Sequence, residues 1–192
     1  MQYSIMKKGV NGMALQREKI YTIDDIYALP DGQRAELIDG CIYNMAPPVR
    51  IHQKLITELV SALHQHIRNS SGDCEVYPAP FAVFLNADDK NYVEPDISVI
   101  CDKRKLTDKG CAGAPDLIME VVSPATQHMD YGIKLFKYRT AGVREYWIIN
   151  PATCIVNVYD FENEAGTSQY SFNDEVFVCI FNGLSIRFSE LL

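Results

Sequence analysis

The most regular hydrophobic pattern in the chain runs from His52 to about Arg68. Leu55, Ile56, Leu59, Val60, Leu63 and Ile67 recur at intervals of three and four, which predicts one long helix with an apolar stripe. Asn69-Ser70-Ser71-Gly72-Asp73 ends it. Two later stretches are apolar and β-branched without helical spacing. They are Val93-Glu94-Pro95-Asp96-Ile97-Ser98-Val99-Ile100, and Ala114-Pro115-Asp116-Leu117-Ile118-Met119-Glu120-Val121-Val122 ahead of Ser123-Pro124. Both read as buried strands. Each carries a carboxylate, Asp96 or Glu120, where a strand would take a hydrophobe.

Other elements fall around these. Thr22 to Leu29 predicts a short helix, with Thr22 and Asp25 in capping-box positions and Pro30 as its stop. Asp39-Gly40 between Ala35–Ile38 and Cys41–Met45 predicts a hairpin. A strand is expected over Glu75–Leu85, at an edge or bulge because of Pro78 and Pro80. Ala87 to Asn91 is a turn and Ser123 to Thr126 another. Asp130 to Ala141 predicts a helix closed by Gly142. Strands follow at Val143–Ile149 and Cys154–Tyr159, then a polar loop over 161–168 and two strands, Tyr170–Phe172 and Val176–Ile180, that complete the sheet. Residues 1–20 lack a pattern and read as a flexible N-terminal arm, which leaves 21–192 as one domain. The fold class is α/β, a mixed sheet packed with helices.

At 192 residues the chain is long enough for a substantial core. No apolar run of about 18 residues is present to span a membrane, and no secretory segment follows Lys7-Lys8. The expected setting is the cytoplasm. The six cysteines lack close-spaced pairs, so they read as small buried hydrophobes in a reducing compartment rather than zinc ligands. A net charge of −7 disfavours a non-specific nucleic-acid binder, without excluding an enzyme whose basic groups are clustered. Lys103, Arg104, Lys105 and Lys109 form one such cluster, readable as a solvated loop or as a phosphate-contacting patch.

A lone buried carboxylate is costly unless paired, protonated or bound to a metal. Asp96 and Glu120 offer hard oxygen ligands of the kind Mg²⁺ or Mn²⁺ takes beside phosphate oxygens. A nearby lysine would then orient water and stabilise phosphate charge. Spacing alone favours a plainer account, with Asp96 capping a turn and Glu120 paired with Lys134 or Arg144. Tyr138, one turn beyond Lys134, could line a site or pack on the sheet. Tyr146 and Trp147 read as core, and Glu145 as a surface partner of Arg144 or Arg139.

The ordered set Glu36-Leu37-Ile38-Asp39-Gly40, His52, Glu94-Pro95-Asp96, Glu120-Val121-Val122-Ser123-Pro124-x-Thr126, Asp130-x-x-x-Lys134-x-x-x-Tyr138 and Gly142-Val143-x-Glu145-Tyr146-Trp147 resembles the Uma-type restriction endonuclease-like family, a branch of the PD-(D/E)xK nucleases. The resemblance spans roughly Tyr21 to Pro151. It implies a restriction endonuclease-like core with the acids on adjacent strands. It further implies a Mg²⁺-dependent DNA endonuclease (Mn²⁺ as an alternative ion), acting as a homodimer. Asp96 and Glu120 would be the metal-binding carboxylates, Glu36 an early acid completing the site, and Lys134 the catalytic lysine. His52 would be a site residue near substrate or near Glu36, and Tyr138 a lining residue. One feature departs from the superfamily pattern. The lysine usually stands two residues after the second acid, and Val122 occupies that position, so Lys134 or its neighbour Lys137 would supply the amine from the following helix. The alternative is a nuclease fold that binds nucleic acid or a protein partner without cutting.

Overall fold

A computed structural model of the chain describes residues 19–70, 72–86, 88–123, 127–163 and 166–192. The expected arm lies almost wholly outside the described residues, as does most of the turn after Ser123.

A six-stranded mixed sheet forms the centre. Its strands are β3 (Glu75–Pro78), β5 (Ile97–Ile100), β8 (Leu117–Val121), β9 (Glu145–Asn150), β10 (Ile155–Asp160) and β11 (Gly166–Ser171), in the order β11-β10-β9-β8-β5-β3. Only β8 and β9 are parallel. The parallel pair needs a crossover, and Met129–Ala141 provides it: a π-helical turn over Met129–Lys134 runs directly into α3 (Leu135–Ala141). Gly142 closes α3 at φ 93°, a left-handed position that suits glycine.

Each face of the sheet buries a different layer. Helix α2 (Arg50–Asn69) lays Leu55, Leu59 and Leu63 against Val99, Leu117, Met119, Trp147 and Ile149. The opposite face buries Ile100, Ile118, Ile148 and Tyr146 with Val143 and Tyr138 of the crossover. Alternation along β8 therefore sends Met119 and Val121 towards α2, and Glu120 towards the crossover. A hairpin, β1 (Ala35–Ile38) and β2 (Cys41–Asn44), packs beside this second layer, its Asp39-Gly40 turn at φ 50° and 77°. Helix α1 (Ile23–Tyr27) has the expected Thr22–Asp25 capping box.

Several expectations are corrected. The stretch from Glu75 to Leu85 is not one strand. Without backbone N–H groups at Pro78 and Pro80, pairing ends with β3, which is an edge strand. Val83–Phe84 (β4) instead joins a small sheet with β6 (Leu106–Thr107) and β7 (Gly110–Ala112). The stretch from Val93 to Ile100 is likewise interrupted before β5; Val93 only bridges Val83. The segment Val176–Ile180 does not complete the central sheet. Its β12 (Val176–Phe177) pairs with β13 (Ser185–Ile186).

The Cys74 and Cys101 sulfurs are bonded, against the expectation of six thiols. The β3–β5 register, Glu75 opposite Ile100, brings these two residues together although 27 positions separate them. Glu145 is not at the surface but fully buried. Its carboxylate accepts Trp147 Nε1 at 2.5 Å and the N–H groups of Cys179 and Ile180 at 3.0 Å, fastening the last segment onto the sheet. Replacing Glu145 by Ala orphans those donors, and the unfolding free energy from urea titration is expected to fall by about 3 kcal/mol. Glu145→Gln should lose less.

Candidate active site

The β5–β8 ladder places Ile97 opposite Met119, so the next pair outward is Asp96 and Glu120. The two acids brace each other's strands. The Asp96 N–H donates to Glu120 Oε2 at 3.2 Å, and the Val121 N–H donates to Asp96 Oδ2 at 2.8 Å. Pro95 lacks a donor and leaves the chain free to turn just ahead of Asp96.

Lys134 enters from the crossover. Its Nζ lies 2.8 Å from Glu36 Oε2, 2.9 Å from Glu120 Oε1 and 3.6 Å from Asp130 Oδ1. All four residues are buried. The Tyr138 hydroxyl donates to the same Glu120 Oε1 at 2.9 Å. On the far side, His52 Nε2 at the start of α2 stands 3.0 Å from Asp96 Oδ2, while its buried Nδ1 has no hydrogen-bond partner among the described residues. Glu36 is held from behind by the Glu94 N–H at 3.1 Å. Glu94 in turn accepts Tyr92 Oη at 2.6 Å and Arg34 Nε at 2.8 Å. A pocket of about 480 Å³ opens onto the cluster, walled by Met45–Val49, Ile56, Val121 and Pro151.

The structure brings together all the sequence-predicted residues: Glu36, His52, Asp96, Glu120, Lys134 and Tyr138. His52 contacts Asp96, not Glu36 as one expectation had it. Lys137 does not join them, because it is engaged with Asp39 of the hairpin turn. The basic cluster at 103–109 does not line the pocket. Arg104 pairs with Asp102, Lys103 with Glu75, and Lys105 Nζ donates to the Ala114 carbonyl. Arg144 goes to Asp116 and Glu162 rather than Glu120. Sequence reasoning missed Asp130, Arg34 and Tyr92. The signal for Asp130 was present, since it stands one helical turn before Lys134.

The charges do not cancel. Glu36, Glu120 and Asp130 lie against the Lys134 ammonium, and Asp96 joins them through Glu120, so four carboxyl groups meet one cation at the centre of the cluster. Burial pushes the Glu120 carboxyl well above the ordinary range, against the pull of Lys134 and with help from Asp96, Asp130 and Glu36. Burial likewise raises Asp130 to about 6, with Lys134 opposing. Burial alone would lower Lys134, but Glu120, Glu36 and Asp130 outweigh it and hold the ammonium charged.

A twisted mixed sheet with acids on neighbouring strands and a lysine delivered by the crossover defines a restriction endonuclease-like protein. Similarity to known proteins agrees. A sequence profile of the Uma2 family, described as "Putative restriction endonuclease", matches residues 23–188, and the chain belongs to that family. An uncharacterized protein of Synechocystis sp. is 27% identical over 128 residues, a match spanning 66% of this chain and 66%, just under two thirds, of that protein. The crystal structure of a putative nuclease from Anabaena variabilis superposes with a TM-score of 0.72 at 23% identity, over 89% of this chain and 99% of that one. That likeness concerns the fold.

The raised Asp130 gives a test of the charge imbalance. Its folded pKa of about 6 exceeds the ordinary 3.8, so the folded state binds more protons in that window. Its contribution to stability therefore falls as pH rises between those values. Asp130→Asn is expected to flatten the decline in melting temperature over that range and to cost little at neutral pH. Lys134→Met should do the opposite, lowering stability at neutral pH by about 3 kcal/mol or more and recovering in acid as the stranded carboxylates protonate. Thermal melts across the pH range read both.

Proposed function

We propose that this chain is a metal-dependent DNA endonuclease that hydrolyses phosphodiester bonds. The observation that carries the reading is the position of Lys134 Nζ, 2.8 Å from Glu36 and 2.9 Å from Glu120, whose other oxygen accepts the Asp96 N–H. It answers the departure at Val122, since the crossover delivers an amine to the acids that the strand itself does not.

The donor set fits Mg²⁺, with Mn²⁺ as the alternative. It is made of carboxylate oxygens carrying more negative charge than Lys134 balances. Among the described residues no group of three or more His, Cys, Asp and Glu side chains is placed to hold a metal ion by itself. Mg²⁺ keeps several waters and is held by one or two carboxylates together with substrate phosphate oxygens, so a pair of adjacent acids is enough protein ligation for it. Asp96 and Glu120 would hold it, and Glu36, 2.8 Å from Lys134 Nζ, would position the ammonium beside it. When bound, it supplies Lewis-acid neutralisation of phosphate charge and makes water more acidic.

The protein's own residues supply the rest. Lys134, kept protonated by its neighbours, orients a water and stabilises charge growing on the phosphate oxygens. Tyr138 fixes the Glu120 oxygen shared with Lys134, and His52 fixes Asp96. The apolar wall of the pocket restricts water around the cluster and strengthens these interactions. Two copies acting together would sever both strands of a duplex.

The test is conversion of supercoiled plasmid to nicked and linear forms with Mg²⁺ or Mn²⁺. Wild-type protein is expected to cut, and chelation to stop it. Lys134→Ala is expected to slow cutting by about 10²–10³-fold, and Asp96→Ala to abolish it. Equal cutting by wild type and Asp96→Ala would overturn the reading, as would no cutting by wild type with either metal on any DNA tried.

A further inference from the structure

The nuclease reading poses an electrostatic problem. Five carboxylates line the pocket, Glu36, Glu94, Asp96, Glu120 and Asp130, against two permanent cations, Lys134 and Arg34. A polyanion entering such a pocket is repelled unless a cation meets it at the mouth. Lys134 does not meet it there, because its side chain is 8% exposed and committed to Glu36, Glu120 and Asp130. Arg34 is 41% exposed.

We propose that Arg34 is the contact for a substrate backbone phosphate at the pocket mouth, held in position by Glu94. This rests on the nuclease reading. Arg34 Nε and Nη2 both donate to one oxygen, Glu94 Oε2. A guanidinium has five N–H groups in a planar fork, so three remain for a ligand. That fork matches two phosphate oxygens at once. Glu94 is itself fixed. It is buried, its other oxygen accepts Tyr92 Oη, and its backbone N–H donates to Glu36 Oε1. The chain of contacts Arg34–Glu94–Glu36–Lys134 thus sets the guanidinium at a defined place relative to the carboxylate cluster. Arg34 also stands where the pocket joins a second, open groove along Gly32, Gln33 and the segment from Asn44 to Pro48. A strand reacting in the pocket has an exit along that groove, and the phosphate next to the scissile one passes Arg34.

The experiment measures binding of a short labelled DNA duplex, with Ca²⁺ replacing Mg²⁺ to hold turnover, as a function of salt, beside KM and kcat for cleavage. Arg34→Ala is expected to weaken binding about ten- to hundred-fold and to reduce the slope of log affinity against log salt by about one. KM should rise by a larger factor than kcat falls, because the contact is to a neighbouring phosphate rather than to the one that reacts. Arg34→Lys should restore the salt slope but only part of the affinity, since it keeps the charge and loses the fork. Arg34→Gln stands in if Ala unfolds the hairpin. Folded Arg34 variants with wild-type affinity, slope and KM overturn the assignment and leave the nuclease reading intact. Wild-type protein that neither binds nor cuts any duplex removes both.

Discussion

A buried ammonium among buried carboxylates is the interaction around which this molecule is built. Lys134 ties together three parts of the chain that are distant in sequence: the β1 hairpin through Glu36, the central sheet through Glu120, and its own π-helical turn through Asp130. Removing a charge of this kind from water costs several kcal/mol, and only close opposite charges and hydrogen bonds offset it. The hairpin therefore cannot drift from the sheet, nor the crossover rotate, without exposing an unpaired charge to a low-dielectric interior.

The same arrangement is unbalanced towards negative charge. A domain selected only for stability would replace some of these acids with hydrophobes, as the surrounding layers of Ile, Val, Leu and Tyr do. Retaining them stores electrostatic strain in one pocket. Groups with displaced pKa values gathered in a cleft are a usual mark of chemistry, although ion-pair networks also displace them. The carboxylate cluster lies on the side of the sheet facing the crossover, with His52 reaching Asp96 from the start of α2, while the α2 face is apolar apart from the buried, hydrogen-bonded Glu145.

The π-helical turn belongs to this division. It occurs between β8 and α3, in the one crossover that the parallel β8–β9 pair requires. Such turns are uncommon and concentrate at functional sites. Here it carries Asp130 and Lys134 on the side that faces Glu120, and α3 continues far enough to bring Tyr138 to the same oxygen.

Much was legible in the sequence because it is locally encoded. The apolar stripe from Leu55 to Ile67, the Asp39-Gly40 turn, the Thr22–Asp25 capping box and the Gly142 stop are each specified within a few residues. The acids were conspicuous because they interrupt hydrophobic runs, and the family's ordered motifs named Glu36, Asp96, Glu120 and Lys134. What the sequence did not decide depends on pairing across long separations. The β5–β8 register alone sets Asp96 beside Glu120, and the β3–β5 register alone joins Cys74 to Cys101. Glu145 looked like a surface residue until the last segment folded over it. The choice between Lys134 and Lys137, three positions apart on one helix, was decided by which way the crossover turns on the sheet. A side chain's electrostatic environment is a property of the packed molecule, so it could not be read from the order of residues alone.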